Sequence, residues 1–177
     1  PSLSGAQITD AALKKPALPP ELLPLWHSAD AVVLAFPLYV DGIPSHLLHC
    51  LTALEEPLRC AGQKPPLYAL MNCGFYEGVQ CTPAMEMLRQ FCRRAEIPFG
   101  GGLGVGAGGA LTGLEAVPLG TGPKKTLAAN LAALAGRILS LQTAPPVYMS
   151  LDLSWTAYQE IGESGWRKAA QKRGLCE

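Results

Sequence analysis

Hydrophobic and polar positions along this chain follow two periods in turn. From Ala31 to Phe36 six apolar residues run without interruption, which predicts a strand covered on both faces, and Pro37, having no N–H to give, ends it. Residues Ser45–Glu56 then carry Leu47, Leu48, Leu51 and Leu54 at helical spacing, with Ser45 placed to cap the helix and Pro57 to stop it. The run Leu67–Cys73 predicts a second buried strand. Thr82 is placed to cap the next helix, with Pro83 at its first position and an apolar face of Ala84, Leu88, Phe91, Cys92 and Ala95. Ile97–Val105 reads as a third strand weakened by Gly100, Gly101 and Gly102, followed by a glycine-rich loop to Gly113. Thr126–Leu141 is the most regular helix, with Leu127, Leu131, Leu134, Ile138 and Leu141 on one stripe.

The flanks are less regular. Prolines 16, 19, 20 and 24 predict an irregular approach, with Leu3–Ile8 as a short edge strand and Leu22–His27 as a helical turn. After Pro145-Pro146 the tail holds Tyr148, Trp155, Tyr158 and Trp166, an aromatic patch expected to dock on this subunit or another. The segment RKAAQKRG then predicts a short helix closed by Gly174. Alternating strands and helices predict a parallel sheet with helices on both faces. At 177 residues the expectation is one α/β domain over 1–177, its core at 29–141 and its tail at 142–177.

Composition narrows the function classes. Fourteen basic and 14 acidic residues give a net charge of +0, scattered without a basic stripe, so no nucleic-acid partner and no polybasic membrane contact is expected. Apolar content is 49%, yet charges or prolines break every long apolar run, so no membrane span is expected. Six cysteines without a C-x-x-C pair fit reduced thiols and a cytoplasmic location. His46 and His49 lie three apart on one helix with no carboxylate or Cys to complete a site, so no metal is expected. A chain beginning Pro1-Ser2 is expected to be a fragment or a processed product.

Four stretches together, PLYVDGIP, NCGFYEGVQ, FCRRAEIPFGGGLGVGAGGAL and YQEIGESGWRKAAQKRGL, resemble flavodoxin-like flavoproteins of the NAD(P)H-dependent FMN reductase type. The resemblance spans about residues 29–175 and implies an α/β/α sandwich on a parallel sheet of order 2-1-3-4-5. It implies FMN across the carboxyl ends of the strands, NAD(P)H as donor, and a quinone, nitro or azo compound or a flavin as small-molecule electron acceptor. By the resemblance Pro37, Leu38, Tyr39, Val40 and Gly42 line one side of the flavin ring, and Asn72, Gly74, Phe75 and Glu77 the other. No catalytic side chain is required, because the flavin carries the hydride chemistry. The family's first strand, helix and Ser/Thr-rich phosphate loop have no counterpart before residue 29. That departure leaves three readings: upstream sequence is missing, a partner chain completes the sheet, or the chain is a relic without a cofactor. It also implies weak FMN binding at best, and an open sheet edge beside Ala31–Phe36 that favours a homodimer or larger assembly. The alternative function is a non-catalytic flavodoxin-like interaction module.

Single features carry rival readings. Gly104–Gly109 satisfies G-x-G-x-x-G but lacks the acidic residue of a dinucleotide site about 20 residues on, so it reads rather as a loop whose backbone passes close to something, a flavin or a neighbouring subunit. Gly120–Thr126 resembles a phosphate loop only in its Lys and Thr and reads as a helix entry. Tyr39 is either core or a stacking platform, and Glu77 either bonds the flavin or caps the next helix. Gly74 is expected to be the sensitive glycine for flavin binding, needed for its backbone angle or for close approach of the ring, so that Gly74→Val weakens flavin binding, whereas Gly106→Ala should change nicotinamide affinity little.

Overall fold

A computed structural model describes residues 5–175. Helix α1 (Leu22–Ser28) leads into β1 (Val32–Pro37), α2 (Ser45–Arg59), β2 (Leu67–Asn72), α3 (Thr82–Ala95), β3 (Phe99–Val105), α4 (Lys125–Leu139), β4 (Val147–Met149) and α5 (Trp155–Lys172). The four strands form one parallel sheet in the order β1-β2-β3-β4. The chain is therefore an α/β protein with helices on both sides of a parallel sheet.

Alternation along β2 sorts the two faces. Leu67, Ala69 and Met71 point toward α2 and α3, whose Leu51, Leu54, Leu58, Met85, Leu88 and Cys92 complete the larger core. Tyr68 points the other way, with Leu103 and Val105, toward Leu127 and Leu134 of α4. Because α2 and α3 cover one face and α4 the other while strand order advances steadily, the β3–α4–β4 crossover has the opposite hand to the two before it. Such connections within one sheet almost always share a single hand, so the third unit departs from the rule that the first two keep between them.

Several expected features are corrected. Helix α2 runs through Pro57 to Arg59. In the last turn Pro57 removes only the bond to the Ala53 carbonyl, and complete burial of Leu58, worth about 1.5–3 kcal/mol, offsets that loss. Neither predicted cap acts as one. Ser45 and Thr82 are first helical residues, after Pro44 and Cys81, and the Thr82 hydroxyl donates instead to Val79 O at 2.6 Å. Helix α4 stops at Leu139, and Leu141 takes a left-handed conformation. Residues 5–8 form no strand, while Leu3 and Ser4 lie outside the described residues. The tail contributes a fourth strand, Val147–Met149, and an 18-residue helix, α5, where a short one was expected. Ser154 caps α5 by accepting from Ala157 N at 3.1 Å.

Strand β1 is not covered on both faces. Val32, Leu34 and Phe36 face α2 and α3, but Val33 and Ala35 are exposed, because α4 covers β3 and reaches Tyr68 of β2 without covering β1. A continuous apolar run reads the same in sequence whether or not a helix arrives to cover it.

Candidate functional site

The loops after β1 and β2 sit side by side because their strands are paired in register, Pro37 opposite Asn72, and Leu38 N donates to Asn72 O at 2.8 Å. The first loop is a two-residue turn. Tyr39 N bonds Gly42 O at 3.0 Å and Gly42 N returns to Tyr39 O at 3.1 Å, with Val40 and Asp41 at φ 47° and 61° between them. Two left-handed residues closed in this way make a type I′ turn, which ordinarily favours Asn-Gly. Here a β-branched Val occupies the first strained position, fully exposed beside an exposed Tyr39.

The second loop is gripped from both ends. Ala107 N donates to Phe75 O at 2.5 Å and Gly108 N to Cys73 O at 2.8 Å, so the loop after β3 holds the loop after β2. Gly106 N in turn donates to Met149 O at 2.7 Å, tying in β4. Gly106 is packed so closely that a Cβ there would collide with the Tyr76 carbonyl oxygen and Gly78 N and reach Glu77 C at 2.6 Å. A Cβ on Gly108 would strike the Asn72 side chain, and one on Gly104 would come within 2.7 Å of Cys81 Cβ. The apparent dinucleotide fingerprint is thus a packing device, the surroundings it passes being the Asn72–Gly78 loop itself. Gly74 is the reverse: its φ is not positive and a Cβ would meet open space, so the expected backbone requirement is absent.

From the other side α5 closes on the same loop. Tyr76 lies 5.3 Å from Trp155 and 5.6 Å from Tyr158, ring centre to ring centre, and its hydroxyl donates to Leu153 O at 2.6 Å. The Tyr158 hydroxyl donates to Gly74 O. The aromatic tail therefore docks on its own subunit through Trp155 and Tyr158, while Trp166 stays exposed outside the cluster and Tyr148 packs by Gly104. Cys73 and Cys81, both buried under the loop, share a hydrogen bond, and receiving that bond from Cys81 lowers the Cys73 thiol to about 7. Giving the bond, together with burial, raises Cys81.

All nine sequence-expected residues thus come to two adjoining loops at the carboxyl end of the sheet. Pro37, Tyr39, Val40, Gly74, Phe75 and Glu77 are exposed, and Leu38, Gly42 and Asn72 half-buried. Leu38, Tyr39 and Gly42 spend their N–H groups within the fold and the Phe75 N–H is directed at the Cys73 sulfur, helping to lower that thiol, while those of Val40, Asp41 and Gly74 donate to no protein acceptor. Beside them Ala35, Pro37, Leu70, Asn72, Leu127 and Leu131 border an apolar groove of about 390 Å³. Glu77 does not cap α3 through its side chain.

This donor set fits the edge of a flat, weakly polar ring. It does not fit a phosphate. The N-terminal turn of α4 is filled by Asp152, which accepts from Thr126 N and Oγ1 at 2.7 Å each, and Lys124 Nζ is spent on Leu114 O at 2.9 Å. His46 is half-buried and His49 exposed, and among the described residues no three His, Cys, Asp or Glu come together as a metal site. No helix among them is long and apolar enough to cross a membrane. The five described cysteines are free thiols.

Comparison with known proteins returns no match, whether to protein families, to curated proteins or to solved structures. Fold and site define the class at one level: a parallel α/β protein with a two-loop crevice at the carboxyl ends of β1 and β2.

Proposed function

We propose that this crevice binds the isoalloxazine ring of a flavin and that the chain is a flavodoxin-like oxidoreductase module, using NAD(P)H as donor and a small quinone, nitro, azo or flavin acceptor. The observation that carries the reading is the pair of in-register loops with unspent N–H groups at Val40, Asp41 and Gly74 beside the exposed rings of Tyr39 and Phe75. In open α/β sheets ligands bind at the carboxyl ends of the strands, where such donors converge. On this reading β1, β2 and β3 take the places of the family's third, fourth and fifth strands, and β4 is an addition.

A bound flavin would supply two-electron acceptance and release. The chain's part is to orient the ring: Tyr39 and Phe75 offer flat apolar contact and the loop amides meet the ring's polar edge. Phosphate is left ungripped by the described residues. Losing two or three charge-assisted hydrogen bonds forfeits about 5 kcal/mol, more than a thousandfold in affinity. FMN and riboflavin should therefore bind this chain with similar, weak affinity in a fluorescence titration. A tight, stoichiometric yellow complex with FMN that riboflavin cannot form would refute the reading of the site.

One observation favours a second reading, an interaction module without FMN. The exposed outer face of β1 and the apolar groove beside it are surfaces that a further polypeptide can cover. A colourless protein that binds neither flavin, and that forms a dimer or larger species by light scattering at micromolar concentration, would select this reading over the first.

A further inference from the structure

We propose that Cys73 and Cys81 are a redox pair: a hydroperoxide oxidises them to a disulfide that closes the loop Gly74–Gln80 into a ring, and a thiol reductant opens it again. Backbone contacts bring the two together. Cys73 is the first residue after β2, and its N–H donates to Val105 O at 3.0 Å, which pins it to β3. Cys81 ends the 3₁₀ turn Gly78–Cys81 just before α3, and its sulfur packs against the same stretch of β3, 3.3 Å from where a Cβ on Gly104 would stand. Both side chains thus lie under one loop, at most 2% exposed, and the Cys81 thiol donates to the Cys73 sulfur. The intervening turn, not the sheet, has to give for that contact to close to an S–S bond of about 2.05 Å.

The surroundings divide the roles. Around the Cys73 sulfur the Cys81 thiol and the Phe75 N–H favour the anion and hold the thiol at about 7, against burial and the charges of Glu77 and Asp41, which raise it. The thiolate is the nucleophile in such chemistry. Its cover is thin, because the loop that curls over the sulfur, with Phe75 O at 3.8 Å and Glu77 O at 3.6 Å, leaves Gly74, Phe75 and Glu77 exposed. Hydrogen peroxide is small enough to pass such a loop in a local opening. The Cys73 thiolate attacks one peroxide oxygen, the O–O bond breaks, and the leaving hydroxide takes up the proton that Cys73 gave up on ionising, which leaves a sulfenic acid on Cys73. The Cys81 sulfur then attacks the Cys73 sulfur, the S–O bond breaks, and the oxygen departs as water with the Cys81 proton. Two thiols and one hydrogen peroxide thus give one disulfide and two waters. The remaining described cysteines have no such neighbour: Cys50 donates to Lys15 O and Ala17 O, burial pushes Cys92 up to about 12, and exposed Cys60 donates to the Glu56 carboxylate at 3.5 Å. Nothing in this pair depends on the flavin reading.

The test is limited hydrogen peroxide on the folded full chain, followed by unfolding in N-ethylmaleimide, cleavage after Arg59, Glu77 and Glu86, and mass spectrometry. The expected product is the peptide Gly78–Glu86 joined to Cys60–Glu77, with maleimide on Cys60 and none on Cys73 or Cys81. Peroxide should consume Cys73 about tenfold faster than Cys50 or Cys92. Dithiothreitol added to the folded, oxidised protein should return both thiols. Cys81→Ala lacks the second thiol and should stop at the sulfenic acid, trapped as a dimedone adduct on Cys73, whereas the wild type should give the joined peptide and little adduct. The wild-type linkage decides by itself if that variant does not fold. A Cys73 that still takes maleimide after peroxide, a bond made through Cys60, or a joined peptide that forms only in urea overturns the inference. So does a dimedone adduct on wild-type Cys73 without any joined peptide, which marks a thiol that Cys81 does not resolve.

Discussion

Replacing Gly106 and Gly74 in turn by Ala separates packing from ligand contact. At Gly106 the new methyl meets backbone atoms, the Tyr76 oxygen, Gly78 N and Glu77 C, none of which can rotate away. The loop after β2 has to move, and its links through Ala107 N to Phe75 O and through Gly106 N to Met149 O stretch with it. Overpacking of this kind costs about 1–3 kcal/mol. At Gly74 the methyl enters open space on a backbone any residue adopts, and the stiffer unfolded chain stabilises the protein by about 0.4–1 kcal/mol. The two variants should therefore differ by about 1.4–4 kcal/mol. For a chain of this length that is a melting-temperature gap of about 3–16 °C. Urea titration followed by tryptophan fluorescence reads the difference, since Trp155 lies against Tyr76 on the displaced loop. If Gly106→Ala proved as stable as Gly74→Ala, the view of the glycine run as a packing device would be wrong.

Three further outcomes follow from particular contacts. Val40→Asn, which suits the left-handed first position of the 39–42 turn, should stabilise the chain by about 1 kcal/mol in the same titration, and a loss of stability would argue against the strain. Asp152→Ala removes both bonds to Thr126 at the start of α4 and should cost about 1 kcal/mol at neutral pH. The Thr126 N–H holds the Asp152 carboxyl below the ordinary carboxylate range, so its contribution is complete above that range and disappears as pH falls through the folded value. The wild-type advantage over Asp152→Ala should shrink in acid, and a constant gap would contradict this. Thiolate absorbance should titrate near about 7 in the wild type and move upward in Cys81→Ala, which lacks the donor. Because the folded value lies below that of an ordinary thiol, the wild type gains stability as pH rises from about 7 toward about 8.5, a slope that Cys81→Ala should lose.

Much of the architecture is legible in the chain because its periods are clean. The Leu67–Cys73 run, the stripe from Ala84 to Ala95 and the leucines of 127–138 each match their element to within a residue or two at either end. Strand β4 leaves little trace, since three residues behind two prolines, two half-buried and one buried, carry no period. The length of α5 is masked by Gly162, Ser164 and Gly165, which a helix tolerates when its first turn is capped by Ser154 and anchored by Trp155 and Tyr158. The location of the candidate residues was legible through the paired strand-end loops. Which glycine matters was not, because the contacts of Gly106 with Tyr76–Gly78 join positions about 30 apart in the chain.

The reversed hand of the β3–α4–β4 unit sets an order in which the molecule comes together. Strands β1, β2 and β3 are joined by successive units of the common hand, so they can associate as local neighbours. Strand β4 has only three residues and reaches the sheet by way of the opposite face after a long excursion from Val105 to Val147. We therefore expect β4 and α5 to dock last and to open first, carrying the Tyr158 clasp and the Gly106–Met149 bond with them. Native-state hydrogen exchange should show the Gly106 amide opening at lower cost than the β2–β3 ladder. Equal protection of the two would mean that the chain folds as one unit. If the order holds, the crevice is the last part of the molecule to mature, and a three-stranded intermediate would stand complete in its larger core before it could hold a ring.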